Sequence, residues 1–306
     1  MTATRVLLAA PRERLRDLAQ LVEAWHDAGI RVTCTRYALA MPDIQAVVRG
    51  QAGLDAALLV GPAQRAPATV LAAPFAADRD RRRIPVAWLP GASSAACRRF
   101  AAAAARVHGR ARERTTVALL GQWHPRYLHL ADRIENLLDH RVRTFRWTGD
   151  VIGRDELVEA LGCGLGLAIY VGHGRSVGWV GYRGLRARHF DSFRGEPLGG
   201  VVSLCCQTAS RHRTELSYAE SLPVHGITAA SFGAVTETRH TDNTRWAIRI
   251  CETLASGVDT LGELIARAAP PNLSATTPYR LIGDPLAPLA AENTGAKRAG
   301  AISTYP

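Results

Sequence analysis

Two apolar stretches decide the fold, "LGLAIYVGHG" at residues 165–174 and "GGVVSLCC" at residues 199–206. Each is short, bounded by glycine and rich in branched side chains, which is typical of a buried strand in a parallel sheet. The first stretch ends at His173 and the second at Cys206. Because functional groups collect at the carboxyl ends of parallel strands, these two side chains are predicted to lie on neighbouring loops.

The rest of the chain alternates between strand-like and helix-like segments. Short apolar runs predict strands at 5–10, 30–37, 56–61, 84–90, 115–121, 141–147, 165–174, 199–206 and 226–233. Apolar residues at helical spacing predict helices at 12–29, 43–51, 92–109, 125–140, 154–161, 243–256 and 259–268. This alternation predicts an α/β fold of mostly parallel sheets with helices on both faces.

The strand–helix pattern restarts near residue 111, which predicts two similar α/β subdomains. We place the N-terminal subdomain at 1–110 and the second, which would be catalytic, at 111–290. The segment 291–306 has too few large apolar residues to pack and is predicted to be a flexible tail.

Composition narrows the class of protein. The formal charge is +11, but the basic residues are dispersed apart from "DRDRRR" at 78–83, and no nucleic-acid module is recognisable, so we expect no nucleic-acid partner. No stretch approaches the length of a membrane span and no signal peptide is evident, so we expect no membrane association and a cytoplasmic setting. The six cysteines form no CxxC pair, which favours reduced thiols and predicts neither a metal nor another cofactor.

A thiol becomes a nucleophile when a nearby imidazole accepts its proton. His173 and Cys206 would form such a pair, and the glycines at 172 and 174 would let the backbone turn tightly beside a substrate. The alternative is that Cys205 and Cys206 are small core residues and that His173 is a loop histidine satisfied by water, because free cysteines are among the most buried residues. The two strands alone leave both interpretations open.

A family resemblance favours the catalytic interpretation. "LAIYVGHG" followed by a Trp-containing loop and "VVSLCCQTA" resembles the gingipain-type cysteine peptidases of the caspase-like clan. "AALLVG", "IPVAWLPGASSAACRRF" and the closing "YRLIGDPLAPL" resemble further segments of that family in the same order. The resemblance extends over about residues 4 to 289.

The resemblance implies a role for each matching residue. His173 matches the catalytic histidine and Cys206 the nucleophile, while Cys205 takes an inward position on the strand. The backbone amides of Gly174 and Cys206 are the implied oxyanion hole. Two positions depart from the family pattern: Trp88 replaces its usual arginine, and only Glu113 is available where a third, acidic catalytic residue is expected, so we leave that role unassigned.

The resemblance also points to substrate-binding residues. Trp179 lies in the loop after the His-Gly pair, and "GAVTETRHTDNTRW" at 233–246 matches a loop that helps to line the specificity pocket. In that loop, Glu237 and Asp242 would offer carboxylates to a basic substrate residue. The alternative is a solvated polar loop in which Asp242 caps a helix starting near 243.

The expected function is therefore that of an intracellular cysteine endopeptidase. A Cys-His dyad would cleave a specific protein partner or peptide through a thioester acyl-enzyme. A cytosolic peptidase must be restrained, which suggests a switched role, with an activating partner, in a bacterial stress or defence response. The alternative is a catalytically silent caspase-like module for binding or scaffolding.

Overall fold

A computed structural model describes residues 3–37, 43–62, 73–111, 113–138, 142–271 and 276–291. The strands are β1 Arg5–Pro11, β2 Arg31–Tyr37, β3 Ala56–Pro62, β4 Phe75–Ala77, β5 Arg83–Gly91, β6 Arg114–Gly121, β7 Val142–Arg146, β8 Leu167–Val171, β9 Gly174–Arg175, β10 Gly178–Trp179, β11 Leu198–Leu204, β12 Thr228–Ala234, β13 Tyr279–Gly283 and β14 Ala290–Ala291. Residues 292–306 of the predicted tail lie outside the described residues.

The helices are α1 Arg12–Leu15, α2 Ala19–Asp27, α3 Ile44–Gly50, α4 Ser94–His108, α5 Pro125–Glu135, α6 Arg154–Leu161, α7 Gly181–Gly184, α8 Tyr218–Val224, α9 His240–Ala255 and α10 Leu261–Ala268. Two 3-10 turns, Arg16–Leu18 and Ala187–Phe190, supplement them. The segment α7 is a single turn in which Tyr182 and Arg183 are left-handed. Within the described residues, no helix is long and apolar enough to cross a membrane.

All strands except the β9–β10 hairpin join one sheet, in the order β14-β6-β8-β11-β12-β13-β5-β3-β1-β2, with β4 added to β5 and β7 added to β6. Most neighbours run parallel. Alternate residues along a strand enter different cores: Val6 and Leu8 belong to one hydrophobic cluster and Leu7 to another. The sheet is therefore covered on both faces, and the predicted α/β fold class is confirmed.

Strand β13 connects the two predicted halves of the chain. It runs antiparallel to β12, with Phe232 opposite Leu281, and parallel to β5, with Leu281 opposite Ala87. This segment lies in the closing "YRLIGDPLAPL", which resembles the family, and no strand was predicted there. The halves thus share one continuous sheet, and their division at residue 110 into separate subdomains stays a prediction.

The predicted helix at 12–29 is interrupted. A 3-10 turn separates α1 from α2 and carries Asp17, whose side chain is buried. The Asp17 carboxylate accepts hydrogen bonds from the Ser94 hydroxyl at 2.5 Å and the Arg98 guanidinium at 3.0 Å. This turn therefore ties the first helical segment to the start of α4.

A buried ion pair supports the sheet from the side of α8. Arg211 contacts the Glu220 carboxylate at 2.6 Å, and their side chains are 5% and 0% exposed. The Trp88 indole donates to the same carboxylate at 3.2 Å. The Trp88 ring lies directly over Gly61, where an added Cβ would overlap it. Trp88, which stands where the family resemblance implies an arginine, is thus part of a buried polar network with Glu220 and Arg211.

We predict that Glu220→Gln lowers the free energy of unfolding by about 3–5 kcal/mol, because it removes the charge that faces a buried guanidinium. Urea denaturation measures the change. The matched control is Glu263→Gln, which breaks the exposed Glu263–Arg267 pair at 3.1 Å and should cost less than about 1 kcal/mol. Equal losses in the two variants would contradict the assigned role of the buried pair.

Candidate active site

The histidine loop and the cysteine tract meet at the carboxyl edge of the sheet. Strands β8 and β11 are adjacent and parallel, and their last paired residues are Val171 and Leu204. His173 and Cys206 each lie two residues beyond this pair. The sequence therefore predicted correctly that both residues follow neighbouring parallel strands at the same edge.

Gly174 brings the two loops into direct contact. A Cβ at this position would lie 2.5 Å from the Cys205 sulfur and 2.5 Å from the Cys206 carbonyl oxygen. No other residue type avoids this overlap without moving the cysteine tract. The residue after His173 thus packs directly on the backbone of Cys206.

The two adjacent cysteines have different environments. Cys205 is fully buried among Tyr170, Trp179 and Tyr218, and this burial raises the pKa of its thiol. Cys206 is half-buried. A thiol that reacts must be accessible and readily ionised, so the environment favours Cys206 over Cys205 as the reactive cysteine.

Thr238 surrounds the Cys206 sulfur with polar atoms. Its backbone N–H donates to the sulfur at 3.4 Å, and its carbonyl and hydroxyl oxygens lie 3.7 Å from the same atom. The preceding segment is held to the cysteine tract as well, because the Gln207 N–H donates to the Thr236 carbonyl at 3.0 Å. Gln207 has a left-handed φ of 60°, which is uncommon for a residue other than glycine. The chain therefore turns sharply just after Cys206.

The backbone of His173 is held by three hydrogen bonds, while its side chain is exposed. Its N–H donates to the Gln122 side-chain oxygen at 2.9 Å. Its carbonyl accepts from the Tyr170 hydroxyl and from the Val180 N–H, both at 3.0 Å. The loop is thus fixed, and the imidazole extends from it towards solvent.

Tyr127, in the first turn of α5, contacts the His173 ring. Its hydroxyl lies 3.3 Å from Nε2, and the two rings are perpendicular with centroids 5.7 Å apart. The Tyr127 ring has a second aromatic neighbour, His240, whose ring centroid is 5.8 Å from that of Tyr127. Burial raises the pKa of the Tyr127 phenol. Burial also lowers the pKa of His240, and the nearby Arg126 and His173 side chains lower it further. At neutral pH the phenol therefore keeps its proton and His240 is uncharged.

The predicted substrate-binding residues are placed differently from one another. Trp179 is buried, stacks on Tyr170 with ring centroids 4.4 Å apart and donates from its indole N–H to Ser203 at 2.9 Å. Its ring therefore supports the site from the core and does not line a surface, in contrast to its predicted contact with substrate. Glu237 is exposed and immediately precedes Thr238. Asp242 lies in the first turn of α9, which starts at His240, and accepts from Arg245 at 3.5 Å.

Glu113 is remote from the site. It precedes the first residue of β6, whereas Gln122 follows the last. An eight-residue strand spans roughly 25 Å, so Glu113 lies at the opposite edge of the sheet from His173. No group of three potential metal ligands occurs in the described part of the chain.

Sequence reasoning missed Gln122, Tyr127 and Thr238. Gln122 could have been found, because it follows a predicted strand at the same edge as His173 and Cys206. Thr238 lies in the loop that was singled out for specificity, but its contact with sulfur depends on how that loop folds back. Tyr127 has no signal in the sequence beyond its place at the start of a helix.

Comparison with known proteins supports the fold and identifies a family. The sequence model of a protein family, Peptidase family C25, matches residues 100–290. Among solved structures, the chain is similar to the Arg specific cysteine proteinase gingipain R, with a TM-score of 0.73 and 14% identity, over 96% of this chain and 79% of that one. Among curated proteins, none matches.

Two further solved structures are similar in fold. One, described as a protease, has a TM-score of 0.70 and 11% identity, over 95% of this chain and 80% of that one. The other, from the Saccharomyces cerevisiae separase–securin complex, has a TM-score of 0.51 and 11% identity, over 76% of this chain but 16% of that one.

We predict that iodoacetamide at neutral pH modifies Cys206 well before Cys205, because only the former is accessible. The experiment uses a Cys34→Ser background, since Cys34 is also exposed, and peptide mass mapping follows each site. Cys205→Ala should leave the labelling rate of Cys206 within about twofold and lower stability by roughly 1 kcal/mol. Faster modification of Cys205 would show that the wrong cysteine has been assigned.

Proposed function

The chain belongs to Peptidase family C25 and is a cysteine peptidase, and from this premise we propose that Cys206 is its nucleophile and His173 its general acid and base. The observation that carries the proposal is the close packing of Gly174 on the Cys205–Cys206 tract. This contact holds the histidine loop against the backbone of the residue that carries the accessible thiol. The thiol and the imidazole are thus presented on adjoining loops at one edge of the sheet.

Acylation starts with transfer of the Cys206 thiol proton to His173. The thiolate attacks the carbonyl carbon of the scissile peptide bond and forms a C–S bond, while the carbonyl oxygen becomes an oxyanion. When this intermediate collapses, the C–N bond breaks and His173 returns the proton to the leaving amine. The product is a thioester between Cys206 and the acyl half of the substrate.

Deacylation reverses these roles with water as the nucleophile. His173 accepts a proton from water, the hydroxide attacks the thioester carbonyl, and the C–S bond breaks. The proton on His173 then returns to the Cys206 sulfur, which restores the dyad. In both steps the backbone N–H groups of Gly174 and Cys206 would stabilise the oxyanion, because both lie where the two loops touch.

The polar environment of the sulfur supports its role as a nucleophile. The Thr238 N–H donates to Cys206 at 3.4 Å, and a donor so placed stabilises a thiolate more than a thiol. An imidazole that accepts the proton adds to the same effect. The Cys206 sulfur lies beside Thr238 in this structure, and the proposed attack requires a rotation about its Cα–Cβ bond towards the substrate.

Glu237 and Asp242 are the proposed determinants of substrate preference. Glu237 is exposed one residue from Thr238, and Asp242 follows in the first turn of α9. Carboxylates at these positions favour a lysine or arginine before the scissile bond. One similar structure is that of an Arg specific proteinase, which agrees with this preference. Of the two, Glu237 is the more available, because Asp242 already accepts from Arg245.

The proposed substrate is a specific protein, cleaved internally, in the cytoplasm. All six cysteines lie in the described part of the chain and none forms a disulfide there, and reduced thiols persist in reducing compartments. An endopeptidase in that setting requires restraint, so we include an activating partner and a role in a stress or defence response in the proposal.

A peptide-library cleavage assay tests the proposed dyad. Cys206→Ala and His173→Ala should each lower kcat/KM by about 10⁴-fold or more, because each removes a group that takes part in bond making or proton transfer. Cys34→Ala and His129→Ala, which remove an exposed cysteine and an exposed histidine, are the matched controls and should keep wild-type activity.

The same library reads out substrate preference. We expect cleavage after basic residues, and Glu237→Gln should raise KM for them by about tenfold, as a lost charge-assisted hydrogen bond would. Full activity of Cys206→Ala would refute the peptidase assignment of this residue. The binding-module alternative would be favoured if the wild-type protein cleaves nothing in the library and if it and Cys206→Ala bind a protein partner equally well.

A further inference from the structure

His173 has a neighbour that can take the place of the missing acidic residue. The family resemblance implies a third, acidic group, but Glu113 lies at the far edge of the sheet. The polar side-chain atom next to the imidazole is instead the Tyr127 hydroxyl, 3.3 Å from Nε2. We propose that Tyr127 is the positioning residue of His173, a role that rests on the proposed dyad.

The tyrosine is held rigidly enough to position the ring. Its side chain is only 6% exposed, and it lies in the first turn of α5, whose N-terminus is capped by His124 and begins with Pro125. The His240 ring packs against it on one side and the His173 ring meets it edge-on at 85°. A phenol fixed in this way restricts the rotation of an imidazole that is otherwise exposed.

The hydrogen bond selects which ring nitrogen receives the proton. Nε2 faces the Tyr127 oxygen, and in this proposal Nδ1 is therefore the nitrogen that accepts the Cys206 proton. In the proposed tautomer before transfer, Nε2–H donates to the phenol oxygen and Nδ1 carries the lone pair. After transfer, both nitrogens carry hydrogen and Nε2–H still donates to Tyr127. The tyrosine neither gains nor loses a proton, and burial, which raises its pKa, keeps it neutral throughout.

A neutral phenol and a carboxylate would act differently. Both orient the imidazole and accept from Nε2–H, but the phenol adds no negative charge to stabilise the imidazolium. Tyr127 therefore fixes tautomer and orientation and leaves the stabilisation of charge to the thiolate. This arrangement explains how the dyad can be aligned without an acidic residue in the position that the resemblance implies.

The test is Tyr127→Phe, which removes the hydroxyl and keeps the ring contacts. We expect kcat to fall by about 10- to 100-fold, the value of one hydrogen bond to a charged group, with KM changed less than about twofold. Nitrogen-15 NMR of labelled histidine reads the tautomer directly. In the wild-type protein the neutral His173 ring should carry its proton on Nε2, and the variant should show a mixture of tautomers.

The matched control is Tyr182→Phe. Tyr182 is also 6% exposed, lies at the same edge of the sheet, and uses its hydroxyl to bond the Trp147 carbonyl and the Gly121 N–H. Its variant should leave both kcat and the His173 tautomer unchanged. Three outcomes would overturn the proposal. They are an equal fall in kcat in the two variants, an unchanged kcat in Tyr127→Phe, and an unchanged His173 tautomer in Tyr127→Phe. The NMR arm decides the role of Tyr127 even if the wild-type protein proves to have no peptidase activity.

Discussion

The site depends on one close contact, the packing of Gly174 on the Cys205 sulfur and the Cys206 carbonyl. Parallel pairing of β8 with β11 brings the two strand ends together, but pairing alone leaves room for either loop to turn away. Because residue 174 lacks a Cβ, the histidine loop lies directly on the cysteine tract. The placement of the histidine loop beside the cysteine tract, and with it that of the proposed oxyanion donors, follows from this contact.

Beneath this contact lies a rigid aromatic layer. Tyr170 stacks on Trp179, Tyr170 donates to the His173 carbonyl, and Cys205 fills the space between this layer and the loop. The adjacency of two cysteines thus reflects a division of roles. The inward thiol belongs to the core, and the outward thiol faces Thr238 at the surface. This layer holds the backbone under both loops, while the His173 ring and the Cys206 sulfur take their side-chain contacts from Tyr127 and Thr238.

The sequence predicted the parts that depend on local pattern. Apolar runs bounded by glycine located the strands, and the rule for parallel sheets placed His173 and Cys206 at one edge. The insertion of β13 between β12 and β5 was not predictable, because it requires a segment near the C-terminus to pair with strands from both halves. Trp179 was expected at the substrate and lies in the core, since a tryptophan in a loop gives no sign of whether the loop folds inwards. Tyr127 and Thr238 act through tertiary contacts that leave no spacing in the sequence.

The most direct measurement is mass spectrometry of protein quenched in acid during turnover of a peptide ester, because a cysteine peptidase passes through a covalent thioester. We expect a mass gain equal to the acyl half of the ester, mapped to Cys206 and absent from Cys206→Ala. Two results would contradict the assignment of this thiol as the nucleophile. One is an acyl group mapped to a residue other than Cys206. The other is a Cys206→Ala protein that still hydrolyses the ester.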